Sequence, residues 1–148
     1  MDSSEFLYII MVLTEDELSL IEFAKEYIYT FLSEFGDFLP FAVIMENGEV
    51  IPLEHEANDK SSSPTYLINM YENYFNQERN NNNEYQLGLL CIDIYTRSTM
   101  QNCKRSGIEY ILFGINYTKR IIQHYKVLKD KSVLFDDMVG WDSGNSLG

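Results

Sequence analysis

Two histidines, two cysteines and one acid inside an apolar run are the residues of this 148-residue chain whose types could do chemistry. His55 stands between Glu54 and Glu56. In an extended chain neighbouring side chains alternate, so the two carboxylates share one side and the imidazole takes the other. That is poor geometry for a shared metal, and the plainer reading is an exposed polar strand end. Cys91, Cys103 and His124 offer three nitrogen and sulfur ligands, but no Cys-x-x-Cys or paired spacing groups them. A cysteine–histidine nucleophile pair needs partners that meet only in the fold. Asp93 is the single acid of the run Leu87–Ile94. Either it is a buried carboxyl with a raised pKa, or it pairs with a base such as Arg97 or faces solvent. The chain has no phosphate-binding glycine loop, no GxGxxG, no GxSxG and no HExxH. The expectation is therefore a protein without catalytic residues, metal or cofactor.

Charge is the more informative signal. The net charge is −12 and the pI about 4.4. A field of that sign repels nucleic acid and anionic membranes, so neither is expected as a partner. Residues 1–59 hold fourteen acids and one base, Lys25, whereas residues 60–148 hold nine acids and ten bases. The plain reading of the acidic part is a solvated face. The sharper one is a docking surface for a basic protein, because complementary potentials speed and orient association. Its candidate contact residues are Glu22 and Glu26 on a first helix, with Glu46, Glu49, Glu54 and Glu56 around a first hairpin. Eleven tyrosines and nine phenylalanines are more than a small core can bury with every hydroxyl satisfied. The surplus suits an interface. The expected function is a protein-binding inhibitor with a basic partner. The alternative is a small-ligand-binding protein, or an enzyme, with an aromatic pocket around Asp93, Cys91 or His124. A third reading is a homodimer through an apolar sheet face.

Two cysteines are too few for a disulfide framework, and Cys91 reads as a small buried hydrophobe. The apolar block Phe6–Leu13 has an acidic flank and no cleavage site, unlike a signal peptide. It also falls short of the ~20 residues of a membrane span. A reducing, cytoplasmic setting is the expectation.

The elements that must position these residues follow from periodicity. Thr14-Glu15-Asp16-Glu17 is a capping box, and Leu18, Ile21, Ala24, Ile28, Phe31, Leu32 and Phe35 recur at helical spacing up to Gly36. This predicts a helix over 15–35. Asn47-Gly48 between Phe41–Met45 and Val50–Leu53 predicts a hairpin. Ser63-Pro64 opens a second helix to about Glu78, with apolar residues at Tyr66, Met70 and Tyr74 and at Leu67, Tyr71 and Phe75. Glu84–Thr96 reads as a central strand, since its middle, Leu87–Ile94, is apolar on both faces apart from Asp93. A polar loop follows over Arg97–Gly107. Strands are expected at Glu109–Tyr117 and Arg120–Leu128, joined near Thr118-Lys119, with a short edge at Val133–Phe135. The fold class is α+β: about five mostly antiparallel strands, order α-β-β-α-β-β-β, with both helices on one face. Residues 1–14 form an N-terminal extension, 15–135 the domain, and 136–148 a flexible acidic and polar tail that Trp141 could anchor.

Phe35-Gly36-Asp37-Phe38-Leu39-Pro40-Phe41-Ala42 followed by Asn47-Gly48-Glu49-Val50 resembles the FGxFxPFA…NG pattern of a group of small, functionally uncharacterised bacterial proteins. The resemblance covers about residues 15–128 and implies a compact α+β fold with no assigned catalytic residue. Some small acidic α+β proteins of this kind are immunity proteins that neutralise a toxin, which is the form of inhibitor the resemblance suggests. The chain departs from the pattern in its last hairpin, which carries Lys119, Arg120, Lys126 and Lys129. Read without the resemblance, Phe35, Phe38 and Phe41 plug the core where helix turns into strand.

Overall fold

A computed structural model describes residues 13–53, 63–97 and 104–141, with the side chains of Thr96, Arg97, Lys104 and Trp141 left aside. The N-terminal block before Leu13, the Glu54–His55–Glu56 cluster, Cys103 and the residues from Asp142 onward lie outside the described residues.

Helix α1 spans Glu15–Phe35 and opens on the expected capping box. The Glu17 N–H donates to Thr14 Oγ1 at 3.1 Å, and the Thr14 N–H donates to Glu17 Oε1 at 2.8 Å. Gly36 closes the helix at φ 81°, a left-handed conformation that glycine adopts without a Cβ clash. Strands β1 (Phe41–Glu46) and β2 (Glu49–Leu53) form the hairpin, with Asn47 and Gly48 at φ 50° and 80°. Helix α2 runs over Pro64–Asn81, capped by Ser63. It outlasts its expected end because Asn80 turns its amide back onto the Asn76 carbonyl at 2.8 Å, and Asn82 takes the cap.

Four further strands follow: β3 (Tyr85–Arg97), β4 (Lys104–Phe113), β5 (Thr118–Val127) and β6 (Val133–Trp141). All neighbours are antiparallel in the order β2-β1-β3-β4-β5-β6. The sheet thus has six strands where about five were expected. The β3–β4 ladder persists to the pair Arg97–Lys104, so much of the expected polar loop is strand. The next turn lies at Gly114–Tyr117, closed by Gly114 N–H to Tyr117 O at 2.9 Å, ahead of the expected position. Strand β6 continues through Trp141, well past the expected start of the tail at Asp136. Its Phe135 and Met138 pack toward α1, and the Gln123 amide donates to the Asp136 carbonyl at 2.8 Å.

The helices lie on opposite faces of the sheet, which corrects the one-face arrangement. Val43, Met45, Leu87, Leu89, Cys91, Ile108, Tyr110 and Leu112 pack with Leu20, Ile21, Ala24, Ile28 and Leu32 of α1. The alternate residues Ala42, Ile44, Leu90, Ile92, Ile111 and Phe113 pack with Leu67, Tyr71 and Phe75 of α2. A strand that is apolar on both faces needs a cover on each, and β3 is that strand. Two further corrections concern α1. Leu18 is exposed and Leu20 takes the buried place; Phe35, expected in the core, is 69% exposed, because Gly36 ends the helix beyond the sheet's cover.

At Gly88, α2 comes close to the sheet. A Cβ there would lie 2.3 Å from Phe75 Cε1 and 2.8 Å from the Tyr85 hydroxyl. Gly88→Ala should therefore lower stability by about 1–3 kcal/mol through overpacking. Chemical denaturation measures this, and Phe75→Leu in the same chain should recover part of the loss. An unchanged midpoint would contradict the packing.

Candidate functional site

Of the described residues that could do chemistry, Cys91 and His124 lie on opposite faces of the sheet. Cys91 points into the α1 side of the sheet, is fully buried, and has its thiol pushed up by burial alone. His124 alternates with Gln123 and Tyr125 on β5 and meets Gly107 on the α2 side. It is half-buried, and burial, with Arg105 nearby, lowers its pKa. The sheet thus stands between this cysteine and this histidine. Among the described residues no group of three or more His, Cys, Asp or Glu side chains is placed to hold a metal ion. Likewise no described helix is long and apolar enough to cross a membrane.

Asp93 is a partly buried carboxylate. It accepts from the Tyr125 hydroxyl at 2.7 Å and from the Phe38 N–H at 3.3 Å. Burial raises its pKa, the two hydrogen bonds pull it back, and Asp37 adds to the rise. The bonds tie the α1–β1 turn to β3 and β5, so its position is explained by architecture. Three open grooves among the described residues take in none of the Asp93, Cys91 and His124 side chains.

The acids proposed as contacts divide between places. Glu22 and Glu26 are exposed on α1 and line one groove with Phe23, Lys25, Tyr29 and Phe135. The Lys25 ammonium lies 4.7 Å from the centroid of the Phe135 ring. Glu46 belongs to the α2 side, where it accepts from Asn82 Nδ2 at 2.8 Å. Glu49 is exposed beside the hairpin turn. Glu54 and Glu56 lie outside the described residues. The structure therefore pairs Glu22 with Glu26 and does not join them to Glu46.

Around that pair, the outward side of α1 carries Glu15, Asp16 and Glu34, all exposed, with Asp37 just beyond. Aromatic residues accompany them: Tyr27 and Tyr29 are about two-fifths exposed, and Phe35 more so. Four tyrosine hydroxyls elsewhere, those of Tyr85, Tyr110, Tyr117 and Tyr125, bond within the fold. Tyr110 donates to Gln123 Oε1 at 2.8 Å, and Tyr85 donates to the Phe113 carbonyl.

What fixes α1 on the sheet is Glu17, which composition could not single out from the other acids of its turn. It has no exposed surface, yet its carboxylate accepts from the Tyr117 hydroxyl at 2.6 Å and from Lys119 Nζ at 2.9 and 3.0 Å. The helical phase of the apolar stripe was the signal for its burial, since Glu17 lies four residues before Ile21 on the inward side. Compared with models of known protein families, with curated proteins and with solved structures, the chain matches none.

Burial raises the Glu17 carboxyl, but Tyr117, the Thr14 N–H and Lys119 together hold it below the ordinary carboxylate value. A carboxyl lowered in the fold contributes stability above its unfolded pKa and loses it as pH falls through the folded one. Glu17→Gln should therefore cost about 1–3 kcal/mol near neutral pH. The gap from the natural chain should narrow below about pH 4. Urea unfolding across that range measures it, and a gap independent of pH would contradict the ion pair.

Proposed function

We propose that this chain is a protein-binding inhibitor that engages a basic protein partner through the outward side of α1, as an immunity protein does with its toxin. One observation carries the reading. Five acids on α1, Glu15, Asp16, Glu22, Glu26 and Glu34, are exposed beside partly exposed aromatic rings, and the single base among them, Lys25, is stacked on Phe135. Acids at such a rim steer and orient a partner, while desolvated rings supply more of the affinity. The alternative, a small-ligand or enzyme pocket around Asp93, Cys91 or His124, is less favoured: the described grooves take in none of these side chains, and the Cys91 thiol is sealed in the core. The third reading, a homodimer through an apolar sheet face, is less favoured as well, since α1 packs on one face and α2 on the other. The reading fits a cytoplasmic protein that does not bind nucleic acid.

The test uses the whole chain as bait in lysate of its own source at low and then moderate salt. A basic protein should be retained, released as salt rises, and inhibited in its own activity by the chain. Glu22→Lys combined with Glu26→Lys should slow its association several-fold and flatten the salt dependence. Capture and association rate unchanged by the double reversal would refute this assignment of the surface.

A further inference from the structure

Four aromatic residues recur at exact four-residue intervals along α1: Phe23, Tyr27, Phe31 and Phe35. They do not belong to the buried stripe formed by Leu20, Ile21, Ala24, Ile28 and Leu32. They form a row along α1 in which Tyr27 and Phe31 meet β1, while Phe23 and Phe31 also pack against the edge of the core. The rings of Phe23 and Tyr27 lie 5.4 Å apart between centroids. Tyr27 and Phe31 each meet the edge of Phe41 on β1, at 6.3 and 6.0 Å, and Phe38 meets it at 5.8 Å. The row ends in an open apolar groove of about 330 Å³, between Phe31, Phe35, Phe38, Leu39 and Phe41. Phe35 is 69% exposed and Leu39 50% exposed at its mouth.

Phe35 and Leu39, next to the rings of Phe31, Phe38 and Phe41, make a contiguous apolar patch, and such a patch marks an interaction surface more often than a lone exposed side chain does. The charges around the groove indicate the chemistry of what fills it. Its one charged lining residue is Asp37, which makes no ion pair among the described residues. Glu26 and Glu34 follow Phe23 and Phe31 by three residues, which places each acid beside a ring on the helix surface. From Phe23 to Phe35 the row covers thirteen residues, about 18 Å of helix. That is the length over which an amphipathic helix sets anchors at i, i+4, i+7 and i+11 into a groove.

We propose that this cleft beside α1 receives an amphipathic helix of the basic partner, with large apolar side chains seated along Tyr27, Phe31 and Phe35 and lysine or arginine flanking them opposite Glu26, Glu34 and Asp37. The proposal rests on the inhibitor reading above and specifies the partner's contacting element. A second copy of this chain is the wrong occupant, because it would set Glu34 and Asp37 against their own like.

Two synthetic peptides serve as probes: one with leucines on a single helical face and lysines elsewhere, and one of the same composition with that face scrambled. Amide shifts of the full chain are followed by NMR during titration. The amphipathic peptide should perturb residues between Tyr27 and Phe41 and bind at least about tenfold more tightly than the scrambled one. Phe35→Ala with Leu39→Ala should weaken it by about tenfold. Both side chains are at least half exposed, so the melting temperature of the double variant should stay close to that of the natural chain and separate lost binding from lost folding. Equal binding of both peptides, or no effect of the double variant, overturns the cleft. So does the absence of shifts with either peptide, while the capture experiment with Glu22 and Glu26 reversed still decides the acidic surface independently.

Discussion

The arrangement of the whole chain depends on one short turn held from both sides. Between β4 and β5 the backbone reverses at Gly114–Tyr117, and the next strand begins at once. From the α1 side, the buried Glu17 carboxylate grips the Tyr117 hydroxyl and Lys119. From the α2 side, Arg79 in the last turn of that helix donates to the Gly114 and Tyr117 carbonyls at 3.4 and 3.3 Å and lies over the Phe113 ring. Each contact is polar and directional, so each fixes position as well as proximity. Hydrophobic burial alone would hold both helices against the sheet while leaving them free to slide. The two clamps set where along the strands each helix starts or stops.

Helix α1 is fixed at its other end as well. The Ser33 hydroxyl donates to the Lys131 carbonyl at 2.6 Å, in the turn between β5 and β6. Asp93 holds the chain just after Gly36 by accepting from Phe38. A helix pinned at three points presents the rest of its surface as a rigid platform. Its acids and rings are therefore displayed at a constant spacing, which reduces the ordering cost that a mobile surface meets on binding.

Much of this was legible in the residue order. The capping box, Gly36, Asn47-Gly48 and Ser63-Pro64 each have a local physical reason to end or turn the chain, and each stands where that reason put it. Placing the helices needed information that is not local. The two-faced apolar run of β3 already implied covers on both sides, yet nothing in α1 or α2 alone says which face either takes. Strand β6 was hidden by Asp136 and Asp137, which read as tail, because an edge strand tolerates charges that a central strand does not. The candidate surface was legible as charge and not as shape. Glu22 and Glu26 share the α1 surface, whereas Glu46 is turned to the other face by strand alternation and engaged by Asn82. The aromatic row was misread in part, because Phe35 was counted with the core and is exposed, whereas Phe31 does pack against it.

Among the described residues the sheet ends in β2 on one side and β6 on the other, and both are poor templates for another strand. Strand β2 is five residues long and contains Pro52, which has no N–H to offer. Strand β6 exposes Asp136 and Asp137 and pairs with β5 through a shift of register between Gln123 and Tyr125, so its ladder is interrupted. Short length, a missing donor, charge and a bulge are the devices by which natural sheets resist joining edge to edge. In a chain this rich in aromatic and apolar residues, such edges resist the addition of a further strand from another molecule.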